Sequence, residues 1–290
     1  LGPKPEPLLP RWDLYAMEAV LRDVGYAVVP CNWLQIMENS LDPVHVEWLH
    51  QNFYNHVVEQ MGKGNLRRER QSHAKIGFDR FEYGIIKRRT LVGETEEDDD
   101  WKVGHPVVFP NILRQGVVSR KGGAGFQIRV PIDDTHTAHW WYRCYRKSDG
   151  EQPQKPEDIP FYDVPVPQLA ASGEPQWQFL DNNSGQDIVA WITQGAIVDR
   201  STESLGRSDK GIILYRLMLQ EQVGIMESGR DPMNVFRDPA KNVYLHLPTE
   251  ENFLAGAAYG SNRRTGATTK YSPVLKSRDT AEGVQLKSKN

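Results

Sequence analysis

The sequence predicts an α+β fold, and three observations carry that prediction. Residues 137–146 alternate, Trp140, Tyr142 and Cys144 against His139, Trp141 and Arg143, with the period of two of a β-strand. Further β-rich runs cover Phe81–Leu91, Pro106–Leu113 and Phe126–Pro131, the last continuing into Thr137–Arg146. Helical stretches flank these runs, one over about Leu41–Gln60 and another starting at Ser208.

A chain of 290 residues is long enough to bury a sizeable core. Hydrophobic residues at 39%, charged residues at 25% and a mean hydropathy of −0.59 fit a globular protein and not a disordered one. No run approaches the ~20 apolar residues of a membrane-spanning helix. With 35 basic and 38 acidic residues the net charge is −3, so no basic excess points to nucleic acid or a membrane surface. Cys31 and Cys144 are too few for a disulfide scaffold and read as small buried hydrophobes, with a reducing, cytoplasmic setting expected. The chain opens on Leu1 with no signal-like segment, which reads as a start inside a longer polypeptide.

In chain order, residues 1–15 hold a proline-rich opening expected to be a linker from an upstream domain, 16–260 form the main domain, and 261–290 are a polar surface tail. A strand-like run lies near Tyr26–Pro30, and Pro43 suits the first turn of the helix that follows it. The acidic run Glu94–Asp100 is expected to be a solvated loop. Lys121–Gly125 is glycine-rich but leads into a strand rather than a helix, which argues against a phosphate cradle. Gln152–Pro175 is a proline-rich connection. Gln186–Gln194 is helical, and Ser208 can cap a helix whose Ile212, Tyr215, Leu219, Val223 and Met226 share a face.

The densest set of ligand-capable side chains is Asp42, His45 and His50, three of them within nine residues in a chain with only 8 histidines. In a regular α-helix, positions five apart point about 140° away from each other, so both imidazoles cannot grip one ion. A π-type turn with i→i+5 hydrogen bonds brings them to one side, and a distorted helix is therefore expected between His45 and His50. Two imidazoles suit Fe, Zn, Cu or Ni and need at least one more ligand. Asp187, at the head of the apolar run Ile188–Ile192, can supply a carboxylate or can simply cap that helix.

The pattern Asn39-x-x-Asp42-x-x-His45-x-x-x-x-His50, preceded by Asn32-Trp33-Leu34-Gln35, resembles the mononuclear-iron motif of Rieske-type aromatic ring-hydroxylating oxygenases of the phthalate-dioxygenase-like branch. Gln186-Asp187, followed by Gln194-Gly195-x-Ile197-x-Asp199-Arg200-x-x-Glu203-x-Leu205-Gly206-x-Ser208-Asp209, is similar to that branch's second signature, and the opening Leu1–Pro10 is similar to its interdomain junction. The resemblance covers roughly the whole chain. It implies that His45, His50 and Asp187 ligate a mononuclear Fe(II). Asp42 becomes the bridge for electrons arriving from a cluster-ligating histidine of a neighbouring subunit, with helix capping before Pro43 as a compatible second use. Asn39 would lie near the iron or bond only to backbone. The family's [2Fe–2S] cluster takes two Cys and two His, but Cys31 and Cys144 lack the histidines at family spacing. The cluster is thus expected on a domain that was removed, cleaved or carried by a separate chain.

The resemblance further implies a helix-grip (START/Bet v1-like) fold, a curved antiparallel sheet around a long C-terminal helix. Phe109, Asn111, Gln127 and Arg129 become candidates for the substrate pocket, each with the alternative of facing solvent or core. An inward Arg129 can pair with a carboxylate on an aromatic substrate. O2 activation would yield ring dihydroxylation, or monooxygenation such as O- or N-demethylation. Electrons would come from NAD(P)H through a separate reductase or ferredoxin, to a homotrimer or hexamer. A non-catalytic ligand-binding module and a zinc hydrolase built on the same three ligands are the competing readings.

Overall fold

The structure, a computed structural model, describes residues 4–60, 62, 64–67, 72–116, 123–176, 179–180, 182–249 and 270–278. Its centre is a sheet of eight strands: β1 Val20–Val29, β2 His73–Phe81, β3 Gly84–Leu91, β4 His105–Val108, β5 Ile112–Gln115, β6 Ala124–Pro131, β7 Thr137–Arg146 and β8 Phe161–Asp163. They lie in the order β2-β3-β4-β5-β6-β7-β1-β8, antiparallel throughout except for the β1–β8 pair. The α-helices that pack around it are α1 Asp13–Ala16, α2 Trp33–Asn39, α3 Gln51–Gln60, α4 Asp99–Lys102, α5 Asn183–Ile192 and α6 Lys210–Glu227. Among the described residues no helix is long and apolar enough to cross a membrane.

The alternation in β7 sorts the two faces of the sheet. Trp141 packs with Ala27, Val29, Ile188 and Trp191 on the side of α5, while Cys144 packs with Trp12, Leu14 and Phe126 on the side of α1. Both faces are covered, so His139, Trp141, Arg143 and Cys144 are all buried. A third cluster joins α2 and α6 to β3–β5 through Met37, Leu41, Ile85, Val107, Phe109, Ile212, Tyr215 and Met218. Cys31 and Cys144 are buried free thiols, and burial pushes them up to about 12 and about 11.

The structure adds to these expectations and corrects some of them. Residues 4–15 of the expected linker pack against the main domain: Leu8 bridges Phe236, and Trp12 and Leu14 lie in the core. Within the 261–290 tail, residues 273–278 form a short helix, and Val274 and Leu275 pack with Tyr145 and Leu21. Residues 261–269 and 279–290 of that tail, and Lys121 and Gly122 of the glycine-rich run, lie outside the described residues. The proline-rich Gln152–Pro175 stretch contains β8, and β2 precedes the run beginning at Phe81. Asp100, at the end of the acidic run, is buried on Arg89 at 2.8 Å rather than solvated. Asp209, not Ser208, occupies the N-cap position of α6. The buried face of α6 is Gly211, Ile212, Tyr215, Met218 and Gln222, while Val223 and Met226 are exposed. A Cβ on Gly211 would meet the Phe78 ring at 2.3 Å, so this glycine lets α6 approach β2 and fixes the rotation of its buried face.

Candidate metal centre

Asn32 accepts the Leu34 N–H at 3.0 Å and so caps α2, whose last residue is Asn39. The chain then turns. Asp42 Oδ1 accepts the Val44 N–H at 2.8 Å, an N-terminal capping bond one residue past Pro43. The expected distortion follows as a π-helix over Val46–His50, in which the Gln51 N–H reaches back to the Val46 carbonyl. His45 and His50 consequently share a side, with ring centroids 5.0 Å apart.

The third side chain arrives on α5. Asn182, not Asp187, caps this helix, accepting the Gly185 N–H at 2.9 Å. A Cβ at Gly185 would lie 1.9 Å from the Phe179 carbonyl oxygen, so only glycine permits the close approach that seats the first turn. Asp187, two residues on, is buried and points at the histidines. Its Oδ1 lies 3.2 Å from His50 Nε2 and 3.8 Å from His45 Nε2.

These separations come close to those around one bound ion, 3.2 Å lying within the expected range and 3.8 Å just above it. Ligand atoms about 2.1 Å from a metal, at angles between 90° and tetrahedral, sit roughly 3–3.5 Å apart. The three ligand atoms here lie within 4.8 Å of one another, and among the described residues no other set of three His, Cys, Asp or Glu side chains does so. Asp187 Oδ1 is buried without an aligned hydrogen bond, an acceptor left over in the protein alone. Both imidazoles are preset for the same point. His50 Nδ1 donates to Gln186 Oε1 at 2.8 Å and His45 Nδ1 donates to the Asp42 carbonyl at 2.5 Å, which leaves each Nε2 as the lone-pair nitrogen.

The electrostatics agree. Burial, reinforced by His50, pulls His45 down to about 4, so its ring is neutral. For His50 burial acts the same way but is outweighed by the Asp187 carboxylate and by Gln186, and its pKa rises. Burial raises Asp187, yet His50 foremost, then His45 and Arg129, bring it below the usual carboxylate range. Without metal the site therefore holds an ionised carboxylate facing a neutral His45 and a His50 whose charged form that carboxylate favours, carrying a proton that a bound cation would displace.

Gln186, which sequence reasoning left without a role although its place beside Asp187 was a signal, bonds to His50. Its amide donates to the Leu180 carbonyl at 2.9 Å, which orients the oxygen toward His50. Gln186→Leu is expected to weaken metal binding by about 10–100-fold, the range for the hydrogen-bond partner of a ligating histidine, as read by metal titration.

The other candidates fall differently. Asp42 reaches His45 through its main-chain carbonyl, its carboxylate standing 3.8 Å from the ring and partly open to solvent. The Asn39 carbonyl accepts the Asp42 N–H at 3.2 Å, and its side chain makes no hydrogen bond among the described residues. Phe109 belongs to the core cluster against Tyr215. Asn111 is tied to the Arg129 carbonyl at 2.8 Å, and Gln127 to Gln115 at 2.7 Å. Arg129 does face inward, but it is fully packed. Its guanidinium donates to Gln127 Oε1 at 2.6 Å and His139 Nε2 at 3.2 Å, and burial pulls it down to about 9. A substrate carboxylate reaches it only if these neighbours move.

An antiparallel α+β scaffold presenting two imidazoles and a carboxylate to one point defines the class: a protein with a candidate mononuclear metal centre. Sequence relatives specify it. The chain is 36% identical over 250 residues to the 5,5'-dehydrodivanillate O-demethylase oxygenase subunit of a Sphingobium sp., covering 86% of this chain and 55% of that protein. It is 26% identical to the phthalate 4,5-dioxygenase oxygenase subunit of Pseudomonas putida, covering 79% and 57%, and 27% identical to the phenoxybenzoate dioxygenase subunit alpha of Ectopseudomonas oleovorans, covering 80% and 56%. The chain belongs to the Rieske-type oxygenases, an oxidoreductase family, and corresponds to the catalytic part of their oxygenase subunit. It spans about half the length of the curated relatives it matches. No family model matches it. Among solved structures, Pseudomonas putida CBB5 NdmA aligns over 80% of this chain and 60% of that chain, at 14% identity and a TM-score of 0.48.

Proposed function

We propose that this chain is the catalytic part of a terminal oxygenase acting on an aromatic substrate, with His45, His50 and Asp187 holding a mononuclear Fe(II). One observation carries the reading: three side chains from two distant stretches of sequence converge with their ligand atoms turned inward, around a buried carboxylate oxygen that has no aligned hydrogen bond among the described residues. A face of three ligands leaves coordination positions open, and the ion held there would supply O2 activation. The chain's own contribution is to fix that face, to keep both imidazoles in one tautomer through Gln186 and the Asp42 carbonyl, and to keep water out by burial.

Asp42 is the residue through which electrons would enter, from a Rieske [2Fe–2S] cluster that neither cysteine of this chain can ligate. A partly open carboxylate at the head of the His45 turn suits that contact. NAD(P)H, a reductase or ferredoxin and a homotrimeric or hexameric assembly complete the proposed system, in a helix-grip fold whose α6 packs against β2 and β3. Among the outcomes open to such a centre, O-demethylation of a methoxylated aromatic is favoured by the relative sharing 36% identity, whose name is that of an O-demethylase; ring dihydroxylation is the second reading, supported by the two dioxygenase relatives.

The test supplies this chain, or the longer subunit containing it, with Fe(II), a cluster-bearing partner, a reductase and NADH. Expected is iron-dependent O2 consumption with formaldehyde release from a methoxylated aromatic. Iron content that His45→Ala leaves unchanged overturns the metal assignment, and zinc-dependent hydrolysis without reductase overturns the oxygenase assignment.

A further inference from the structure

Residues 194–209, the part of the second signature beyond Asp187, contribute no ligand to the centre, yet they contact α2 at every turn. The Asn32 N–H donates to the Ala196 carbonyl at 2.8 Å. Three residues on, Gln35 is 3% exposed and its side-chain amide is fully used. Its nitrogen donates to the Trp191 and Gly195 carbonyls, both at 2.9 Å, and its oxygen accepts the Val198 N–H at 3.0 Å. Trp191 lies one turn beyond Asp187 on α5, so Gln35 grips the helix that carries the carboxylate.

One further turn along the same face, Glu38 closes a ring of alternating charge. Its two oxygens take Arg216 Nε at 2.7 Å and Arg200 Nη1 at 2.9 Å. Arg216 pairs with both oxygens of Glu203 at 2.7 Å, and Arg200 lies 3.6 Å from Glu203. The ring ties α2 to α6 and to the loop between α5 and α6. Lys87 then holds the Ser40 carbonyl at 3.0 Å, two residues before Asp42. α2 is thus bonded at one end to the element bearing Asp187 and runs at the other directly into the turn bearing Asp42 and His45.

We infer that α2 is a strut setting the distance between the carboxylate and the two imidazoles, with Gln35 and Glu38 as its positioning residues. This rests on the metal reading of the site. It assigns residues 194–209 a purpose that needs no contact with metal or substrate: each of their interactions with α2 fixes where one half of the centre stands relative to the other. Residues that hold metal ligands from behind change affinity and coordination geometry rather than the chemistry itself.

Cobalt(II) titration of the purified chain, followed by its visible absorption, tests the inference without turnover. Gln35→Met and the isosteric Glu38→Gln are expected to bind Co(II) at least about tenfold more weakly than the unaltered chain, with altered band positions and intensities, while circular dichroism reports a retained fold. Leu275→Ala, in the C-terminal segment packed on Tyr145, is the control: it should lower the melting temperature and leave the spectrum unchanged. Glu38→Gln with unaltered Co(II) affinity and spectrum overturns the strut, whether or not Gln35→Met folds. Failure of the unaltered chain to bind Co(II) or Fe(II) instead overturns the metal reading beneath it.

Discussion

Asp187→Ala is expected to remove iron from the protein while leaving it folded. The carboxylate is the one charged ligand, and its Oδ1 stands 3.2 Å and 3.8 Å from the two Nε2 atoms. Without it only two neutral imidazoles remain, and the affinity should fall by more than the ~10–100-fold expected for losing an outer partner such as Gln186. The metal-free fold should not suffer in proportion. In the metal-free protein the carboxylate is held below its usual range by His50, His45 and Arg129, so it stabilises the fold at neutral pH, and its removal should cost some stability there. The two effects are read separately: iron per chain by elemental analysis drops toward zero, while the thermal midpoint of the metal-free protein falls at neutral pH but the protein stays folded. Asp187→Asn, which keeps the shape and loses the charge, should fall between the two. Full iron occupancy in Asp187→Ala would remove this residue from the centre.

What could be read in the sequence was local geometry. The five-residue spacing of His45 and His50 forced a choice between two separated imidazoles and a π-turn, and the π-turn over Val46–His50 is present. The alternation in 137–146 likewise sorted β7 into its two faces. What could not be read depends on partners far along the chain. β2 is half exposed along most of its length and shows no alternation, and β8 has three residues whose parallel pairing to β1 leaves no periodic trace. The face read for α6 holds at Ile212, Tyr215 and Leu219 and fails at Val223 and Met226, since the Phe78 ring filling the space over Gly211 fixes how the helix sits on the sheet, a tertiary fact. Ser272 sits in polar sequence, yet its hydroxyl contacts the buried Asp23 and Tyr145 and pins the last described helix. Arg129 faces inward as one alternative had it, but a guanidinium packed on a glutamine and a histidine reads in sequence like any strand arginine. The convergence of Asp187 on two histidines well over a hundred residues earlier had no local signal and was available only through family resemblance.

Asp42 is expected to behave in the opposite way to Asp187: its replacement should spare the metal and stop the reaction. The bond that orients His45 comes from the Asp42 main-chain carbonyl, which every substitution retains, so iron content in Asp42→Ala should match the unaltered protein. The side chain does two other things. Its Oδ1 caps the Val44 N–H at 2.8 Å, and it remains open enough to meet a group from outside the chain. Loss of the cap alone should cost about 0.5–2 kcal/mol of stability, visible as a lower melting temperature in Asp42→Ala. Asp42→Asn isolates the second use, because an asparagine oxygen still accepts the Val44 N–H while the negative charge is gone. If the carboxylate is the electron entry point, both variants should lose turnover by about 10–100-fold with the cluster-bearing partner, with substrate binding unchanged. Single-turnover oxidation of the reduced cluster should slow by the same factor, which a capping defect would not produce. Turnover at the original rate in Asp42→Asn, with a reduced rate only in Asp42→Ala, would make this residue a helix cap and nothing more.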